Sequence, residues 1–586
     1  MRFLLVAINA KYIHSNLAVY SLKEYAAEYA TEFIKRKNEI EIAEYTINQY
    51  TDKILQDIYT KKPDYIGFSC YIWNVDYVLT IVENIKKILP NVEIWLGGPE
   101  VSYNAVQVLE QNSAVTGVLR GEGEVIFKNL LNAIACDTEY NTVRGLTYRK
   151  NAGIIVENED EQVTDLSTIP FVYRNLKEFE NRIIYYESSR GCPFSCSYCL
   201  SSIDKHLRFR DLETVKKELK FFIDNKVAQV KFVDRTFNCK KDHSIAIWKY
   251  IKEHDNGITN FHFEIAADIL NEEELEVIRQ MRPGLIQLEV GVQSTNEDTI
   301  TLINRKMDFS KVAAVVEKIK SFENTHLHLD LIAGLPKENI DSFANSFNMV
   351  YSVKPHQLQL GFLKVLHGSN MELQIEENGL VYNSKAPYEV LSTKWISFGD
   401  VLRLKKVEEV LEIYYNSGQF GCSILELEKY FDTPFGMYDS LGQYYSEHAP
   451  NGEKHSRVQR YELLLDFVSD LNLSDDEKNI FVQLLTYDFY LRDNVKNRPS
   501  FAKSLDGYKK TIVHMYVEEE QKREILPDYE GFNSKQLAKM THIEVFDFDV
   551  TSYTKKGELI KGTYFMVFDY KNRNPLDSGA RTITTR

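Results

Sequence analysis

Three cysteines, Cys192, Cys196 and Cys199, form the strongest chemical motif of the sequence. Three residues separate the first pair and two the second, on a loop that Gly191 opens and Pro193 stiffens. A structural zinc ion takes four ligands, whereas three thiols suit a cubane iron-sulfur cluster that keeps one iron open. The spacing therefore favours a [4Fe-4S] cluster with a reactive iron.

Two other uses of these thiols have to be weighed. His206, seven residues after Cys199, could complete a Cys3His zinc site on spacing alone. A disulfide role is weaker, because seven cysteines is an odd number in a long chain without a secretory signal. We therefore favour the cluster and keep zinc as the alternative.

The composition is that of a large globular chain. A chain of 586 residues is too long to form one hydrophobic core. Its content of 44% hydrophobic and 26% charged residues is ordinary for globular proteins. No apolar run reaches membrane-spanning length, and the apolar start is too short for a signal peptide, so we expect a soluble, cytoplasmic protein without a membrane partner. A net charge of -15 disfavours broad binding to nucleic acid and leaves only a local basic face open.

The first 135 residues or so alternate short apolar runs with amphipathic stretches. The pattern predicts strands over 3–8, 39–45, 65–69 and 93–96, with helices over 17–33, 54–59 and 75–89 between them. This alternation indicates a parallel, doubly wound sheet, which binds ligands beyond the carboxyl ends of its strands. One of those ends carries Gly97 and Gly98, which let a bulky ligand approach the backbone.

This order of elements, followed by Gly121-Glu122-Gly123-Glu124 and then by the cysteine motif, resembles the cobalamin-binding domain that precedes many radical S-adenosylmethionine (SAM) enzymes. The resemblance implies a Rossmann-like domain that binds cobalamin. His14 takes the histidine position of the Asp-x-His-x-x-Gly motif of other cobalamin domains, but Tyr12 and Leu17 stand where Asp and Gly would be. His14 is therefore either a cobalt ligand or, as we favour, a residue that lines the pocket. The residues expected at cobalamin are Asn9, Tyr12, His14, Ser69, Tyr71, Trp73, Gly97, Gly98 and Glu122.

From residue 183 the alternation resumes, with predicted strands over 183–187, 230–234, 261–265, 285–291, 327–332 and 357–360. It resembles the partial (β/α)6 TIM-like barrel of radical SAM proteins, in which polar residues at the carboxyl ends of strands belong to the site. Residues 289–294 resemble the family's Glu-x-Gly-x-Gln-Ser stretch, and residues 330–336 its Asp-Leu-Ile-x-Gly-Leu-Pro stretch. The resemblance implies SAM contacts from Tyr198, Asp234, Arg235, Glu264, Glu289, Gln293 and Asp330.

The resemblance implies three cofactors: a [4Fe-4S] cluster, SAM and cobalamin. One electron delivered to the cluster would cleave SAM to a 5′-deoxyadenosyl radical, which abstracts hydrogen from an unactivated carbon, and methylcobalamin would then deliver a methyl group. We expect a C-methyltransferase with a small-molecule or peptide substrate and an external electron donor such as flavodoxin or ferredoxin. The alternatives are a cyclase, oxidase or rearrangement enzyme without net methyl transfer, and a non-catalytic cobalamin and cluster sensor that docks a partner. No catalytic residue is predicted beyond those that hold the cofactors.

A related family, the methylthiotransferases that modify tRNA, carries three further N-terminal cysteines. This chain has only Cys70 and Cys136 before Cys192, so it does not fit that family. We expect both thiols to be buried small residues.

Beyond residue 386 the pattern changes to amphipathic helices. The last strands, over 543–550 and 564–570, predict an antiparallel hairpin joined across Lys556-Gly557. This region resembles a C-terminal domain of unknown function that some cobalamin-dependent radical enzymes carry. We therefore predict four segments: a cobalamin-binding domain over 1–140, a connector over 141–182, a radical SAM barrel over 183–385, and a helical C-terminal domain over 386–586.

Overall fold

The computed structural model describes residues 1–150, 153–449, 455–495 and 497–585. Its chain divides into two compact units. The first consists of Met1–Thr325, Gly334–Asn339 and Phe362–Ser397, and the second of His326–Ala333, Ile340–Gly361 and Phe398–Arg586.

A sheet of seven strands opens the first unit. Its strands are β1 (Arg2–Asn9), β2 (Glu39–Thr46), β3 (Tyr65–Ser69), β4 (Glu93–Gly97), β5 (Gly117–Leu119), β6 (Leu146–Arg149) and β7 (Ile155–Glu157). They lie in the order β2-β1-β3-β4-β5-β6-β7, with β1 to β5 parallel and the last two joined antiparallel. The helices are α1 (Leu17–Tyr29), α2 (Thr31–Lys35), α3 (Thr51–Lys61), α4 (Val75–Ile88), α5 (Pro99–Ser102), α6 (Ala105–Gln111) and α7 (Gly123–Cys136).

Helices cover both faces of this sheet, which explains the apolar sequence of its central strand. Leu4 and Val6 of β1 belong to the core on one face, and Phe3 and Leu5 to the core on the other. The predicted doubly wound sheet is therefore confirmed.

The helix predicted over 17–33 is divided in two at Ala30, whose backbone is not helical. Asn132 on α7 accepts the backbone N–H groups of Glu32 and Phe33 at 3.1 and 3.3 Å. The Asn132 side chain thus caps the start of α2. The amphipathic pattern of the sequence continues from α1 into α2 and does not mark the break at Ala30.

The barrel strands of the first unit are β8 (Ile184–Tyr186), β11 (Gln229–Phe232), β12 (Asn260–Ile265) and β13 (Ile286–Gln293), parallel and in that order. The helices that follow them are α8 (Leu212–Asp224), α9 (Lys241–Glu253), α10 (Glu272–Arg279), α11 (Glu297–Leu302) and α12 (Phe309–Lys320). After β8, a short antiparallel pair, β9 (Ser189–Arg190) with β10 (Arg208–Phe209), encloses the cysteine loop over 191–207.

The second unit takes up the remaining barrel elements, β14 (His326–Ala333), α13 (Ile340–Ser352) and most of β15 (Gln357–Phe362). The six predicted barrel strands are thus all present. The chain then returns to the first unit for α14 (Ile375–Asn378), β16 (Val381–Tyr382) and β17 (Val390–Ser392).

The rest of the second unit is mainly helical, as predicted. Its helices are α15 (Phe398–Leu411), α16 (Gly421–Leu427), α17 (Pro434–His448), α18 (Arg457–Asp470), α19 (Asp475–Arg492), α20 (Lys509–Lys522), α21 (Ser534–Met540) and α22 (Val550–Lys556), and its strands are β18 (Thr541–Phe548), β19 (Lys561–Arg573) and β20 (Ala580–Thr585). Among the helices of the described ranges, none has both the length and the apolar character needed to cross a membrane.

The C-terminal strands pair antiparallel as predicted, but they form more than a hairpin. β18 and β19 are joined by α22 instead of a tight turn, because Asp549 accepts the N–H of Ser552 at 3.1 Å and caps a helix there. β20 adds a third strand against β19. Its threonine-rich sequence lacks the apolar run that marked its neighbours.

Candidate active site

A cavity of about 1260 Å³ opens at the carboxyl ends of the strands of the first unit. The N-terminal sheet contributes Asn9, Ser69 and Gly97, the last residues of β1, β3 and β4. The barrel contributes Glu187 and Arg235, which follow β8 and β11. The cavity exceeds the range of about 300–1,000 Å³ typical of drug-sized ligands, so it can take a large cofactor.

One wall of the cavity is bare backbone. Gly98 has a φ of +114°, and a Cβ there would lie 2.4 Å from the carbonyl oxygen of Cys70. Gly121, which also lines the cavity, has a φ of +83° and open space where a Cβ would stand. Glycine at position 98 lets the turn after β4 pack against the Cys70 backbone, and Gly121 leaves the backbone accessible to a flat, bulky group, which fits the cobalamin predicted here.

The deep end of the cavity is apolar and was not predicted. It passes between the sheet and α1 and α7, where Phe3, Leu5, Trp95 and Phe127 line it. The same side chains belong to the hydrophobic core on this face of the sheet, and an apolar pattern is the same for a core position and for a position that lines a cavity.

The cobalamin residues predicted from the sequence are brought together around this cavity, with one exception. Tyr12 is not among the lining residues: its side chain is 63% exposed, and the guanidinium of Arg182 lies 5.0 Å from its ring centre. It belongs to a turn after β1, where no alternation fixes the direction of a side chain. The residues that line the cavity as expected are Asn9, His14, Ser69, Tyr71, Trp73, Gly97, Gly98 and Glu122.

His14 is oriented by the barrel. Its Nδ1 lies 2.7 Å from the hydroxyl of Tyr185 on β8, and its backbone forms a bridge with Ile183. Burial lowers the pKa of His14, and Lys11 and Lys231 add to that shift, so the ring is neutral near pH 7. The missing aspartate of the motif is thus replaced by a tyrosine from another domain.

Tyr71 and Trp73 form a flat aromatic surface on the cavity wall. Their rings are stacked, with centres 4.4 Å apart and planes 8° from parallel. Trp73 remains 45% exposed, which is a large apolar area for a side chain in a cavity. The pair can pack against a planar ligand.

The cysteine loop is fixed by residues from distant parts of the first unit. The N–H of Ser197 donates to the carbonyl of Ile303 at 2.9 Å, and that of Met371 to the carbonyl of Ser197 at 2.8 Å. Cys192 and Cys196 are buried, and Cys199 is half-buried. The loop therefore presents its thiols from a constrained backbone.

Two polar groups contact the sulfur atoms. The Oγ1 of Thr236 lies 3.7 Å from Sγ of Cys192, and Nη1 of Arg305 donates to Sγ of Cys196 at 3.6 Å. Arg305 also donates to the hydroxyl of Tyr198 at 3.1 Å. No motif marks Arg305, which is 109 residues from Cys196.

The position of His206 bears on the zinc alternative. Its side chain is 72% exposed and lies 3.3 Å from Asp204. An exposed imidazole that is paired with a carboxylate gives little support to a Cys3His zinc site.

Asp234, expected at the SAM amino group, is fully buried beneath the cysteine loop. Its carboxylate accepts the N–H and Oγ–H of Ser188 at 2.8 and 2.6 Å and the Oγ–H of Ser189 at 2.5 Å. His243 lies 3.1 Å from the same Ser188 hydroxyl. Burial raises the pKa of Asp234 to about 7, and the serine hydrogen bonds oppose that shift. The carboxylate therefore holds the stem of the cysteine loop and does not face the cavity.

The remaining predicted SAM residues lie on barrel strands. Glu289 of β13 is 2.9 Å from His262 and 3.3 Å from Lys231, and Glu264 occupies the matching position on β12. Gln293 ends β13 with a φ of +75°. Asp330 belongs to β14 of the second unit and lies 3.0 Å from His328.

All seven cysteines are free thiols. Cys70 is buried, as expected, but Cys136 is exposed at the last position of α7. The expectation for Cys136 was wrong because the apolar face of α7 ends before that residue.

Models of three families match successive parts of the chain. Residues 4–131 match a B12 binding domain, residues 186–350 the radical SAM superfamily, and residues 376–568 a protein family of unknown function, DUF4080. The matches follow the order that the sequence motifs predict.

Individual proteins resemble the chain over part of its length. The cobalamin-dependent radical SAM methyltransferase TokK of Streptomyces tokunonensis is 25% identical over 343 residues, which cover 54% of this chain and 50% of TokK. An anaerobic magnesium-protoporphyrin IX monomethyl ester cyclase of Rubrivivax gelatinosus is 23% identical over 323 residues, covering 52% of this chain and 57% of the cyclase. The chain thus spans about half the length of these curated relatives.

A solved structure shares the fold. The cobalamin-dependent SAM radical enzyme OxsB, with aqua-cobalamin and SAM bound, superimposes with a TM-score of 0.57 at 16% identity, covering 83% of this chain and 78% of OxsB. The predicted fold class, with a Rossmann-like domain, a partial (β/α)6 barrel and a helical C-terminal region, is confirmed.

Proposed function

We propose that this chain, whose residues 4–131 match a B12 binding domain and whose residues 186–350 match the radical SAM superfamily, is an enzyme that cleaves SAM at a [4Fe-4S] cluster and methylates an unactivated carbon with the help of cobalamin. One observation carries the proposal. A single cavity is lined both by the strand ends of the B12-binding sheet and by the stem of the cysteine loop, at Arg190 and Gly191.

The residues present fit the three cofactors. Cys192, Cys196 and Cys199 would hold the cluster, Tyr198, Arg235, Glu264 and Glu289 of the first unit would hold SAM, and the glycine wall with Tyr71 and Trp73 would hold cobalamin. When bound, the cluster supplies the electron that cleaves SAM, the adenosyl fragment takes a hydrogen atom from the substrate, and cobalamin carries the methyl group. The protein orients these groups and excludes water from the cavity.

Product analysis separates methyl transfer from the alternative supported by the cyclase relative. If SAM donates its methyl group as a cation, the remaining product is S-adenosylhomocysteine. Reductive cleavage of SAM instead yields 5′-deoxyadenosine and methionine. We expect both S-adenosylhomocysteine and 5′-deoxyadenosine from the cluster-loaded and cobalamin-loaded protein under reducing, anaerobic conditions. Formation of 5′-deoxyadenosine alone would favour a cyclase or rearrangement enzyme.

Trp73 is expected to contribute to cobalamin binding. Its ring is 45% exposed beside Tyr71, and a corrinoid in the cavity would cover it. Trp73→Ala should weaken hydroxocobalamin binding about tenfold, the upper end of the effect of an aromatic contact. An absorbance titration measures this, with Tyr50→Ala as control, because Tyr50 is 83% exposed and outside the cavity wall. Equal affinities of the two variants would contradict the assignment.

Arg305 is expected to raise the reduction potential of the cluster. Its guanidinium contacts Sγ of Cys196, and a positive charge favours the more negative, reduced cluster. Arg305→Gln should lower the midpoint potential by on the order of 100 mV, the Coulomb energy of a charge at about 5 Å and an effective dielectric constant of about 20. A redox titration monitored by electron paramagnetic resonance tests it. Arg279→Gln, which removes a surface cation paired with Glu276 at 2.6 Å, should leave the potential unchanged.

We propose the segment boundaries 1–140, 141–182, 183–385 and 386–586, which the three family matches support. A small-molecule or peptide substrate, a flavodoxin or ferredoxin as electron donor, and a cytoplasmic location complete the proposal. The free state of all seven cysteines supports a reducing compartment.

A further inference from the structure

Arg190 connects the stem of the cysteine loop with the wall of the cavity. It is the last residue of β9, two positions before Cys192, and three glutamates surround its guanidinium. Nε and Nη2 each donate to Glu187 at 2.8 Å, Nη2 and Nη1 donate to Glu124 at 2.9 and 3.3 Å, and Nη1 lies 3.3 Å from Glu122. Four of the five N–H donors of the side chain thus form hydrogen bonds with carboxylates, and the ion pair with Glu122 adds a further contact.

Two of these glutamates belong to the B12-binding domain and line its cavity. Glu122 immediately precedes α7, and Glu124 lies in its first turn. Glu124 is buried and also accepts the hydroxyl hydrogen of Ser21 on α1 at 3.1 Å. Arg190 is therefore held by the helix start that forms one wall of the cavity.

Residues on the barrel side of the network are also held by ion pairs. Glu187 follows β8, and Arg208 of β10 lies 2.6 Å from Glu122. The two strands β9 and β10 that enclose the cysteine loop thus both contact the start of α7 in the B12-binding domain. Because separation of buried ion pairs leaves uncompensated charges, the loop stem and the start of α7 are expected to move together.

We propose that Arg190 is a positioning residue through which cobalamin in the cavity orders the cysteine loop. The inference rests on the proposed function, because it requires cobalamin to occupy this cavity. A bulky group against Gly121 and Glu122 restricts the start of α7, and the paired contacts of Glu124 and Glu187 with one rigid guanidinium transmit the restriction to the residues before Cys192. A lysine cannot do this, because it lacks the planar fork.

Hydrogen exchange of the segment 187–199 tests the proposal in the full-length, cluster-loaded protein with and without hydroxocobalamin. In the wild type, hydroxocobalamin should slow exchange of this segment about tenfold. Glu124→Gln and Arg190→Lys should still bind hydroxocobalamin, retained through desalting, but should show no slowing. Arg282→Lys is the matched control: Arg282 forms a bidentate pair with Asp255 at 2.7 and 3.1 Å, and neither residue lines the cavity, so its slowing should match the wild type.

Each outcome decides the proposal. Slowing in Glu124→Gln or Arg190→Lys equal to that of the wild type would overturn it, as would a wild type that binds hydroxocobalamin without any slowing. A wild type that does not retain hydroxocobalamin would overturn the proposed function as well, which distinguishes the two failures. If one variant does not fold, the other still decides the result.

Discussion

Cys196→Ala is expected to abolish cluster assembly and, with it, all cleavage of SAM. Three thiolates hold three irons and leave the fourth for SAM, so removal of one ligand leaves two open irons and an unstable cluster. Iron content after anaerobic reconstitution should fall from about four per chain to background. Formation of 5′-deoxyadenosine should fall to the level of protein-free controls.

Cys239→Ala is the matched control for this experiment. Cys239 lies just after β11, outside the cysteine loop, and burial raises the pKa of its thiol to about 11. Because Cys239 is not one of the three cysteines of the motif, this variant should keep its iron and its activity. Loss of iron in Cys239→Ala together with retention in Cys196→Ala would show that the cluster has other ligands.

Gly98→Val is expected to abolish cobalamin binding, with affinity for hydroxocobalamin at least about 100-fold weaker. A side chain at this position meets the carbonyl oxygen of Cys70 at 2.4 Å, and the φ of +114° is unfavourable for any residue with a Cβ. Relief of that clash has to move the turn after β4, which forms the bare wall of the cavity. An absorbance titration with hydroxocobalamin measures the affinity.

Gly257→Val is the control that separates the effect of backbone strain from the effect of a displaced cavity wall. Gly257 has a φ of +75° but nothing within 4 Å of a Cβ, and it lies outside the cavity. Its valine variant should be destabilised by a comparable strain of about 1–3 kcal/mol and should bind hydroxocobalamin like the wild type. Wild-type affinity in Gly98→Val would contradict the assignment of the cavity.

The sequence predicted the elements that carry the site because alternation of strands and helices is a local property. In a parallel sheet the carboxyl ends of all strands meet at one edge, so Ser69 and Gly97 could be assigned to a common site before any contact was known. The glycine pair after β4 could be predicted for the same reason. Tyr12 could not, since a side chain in a turn has no period that fixes its direction.

The contacts that join distant segments were not predictable. Asp234 has the position of a ligand residue near the end of a strand. Its burial by Ser188 and Ser189 depends on how the segment after β8 packs against it. Glu124 and Arg190 are 66 residues apart, and nothing in either neighbourhood marks the pair. Such pairs require the tertiary arrangement of two domains, which hydrophobic patterns do not encode.

The most direct test of the central claim is an assay for 5′-deoxyadenosine. The wild-type chain, reconstituted anaerobically with iron and sulfide and loaded with hydroxocobalamin, is incubated with SAM and a strong reductant, and the products are separated and quantified. We predict 5′-deoxyadenosine in amounts that exceed the enzyme concentration, even without the substrate. No 5′-deoxyadenosine from protein whose iron content shows a complete cluster would contradict the assignment as a radical SAM enzyme.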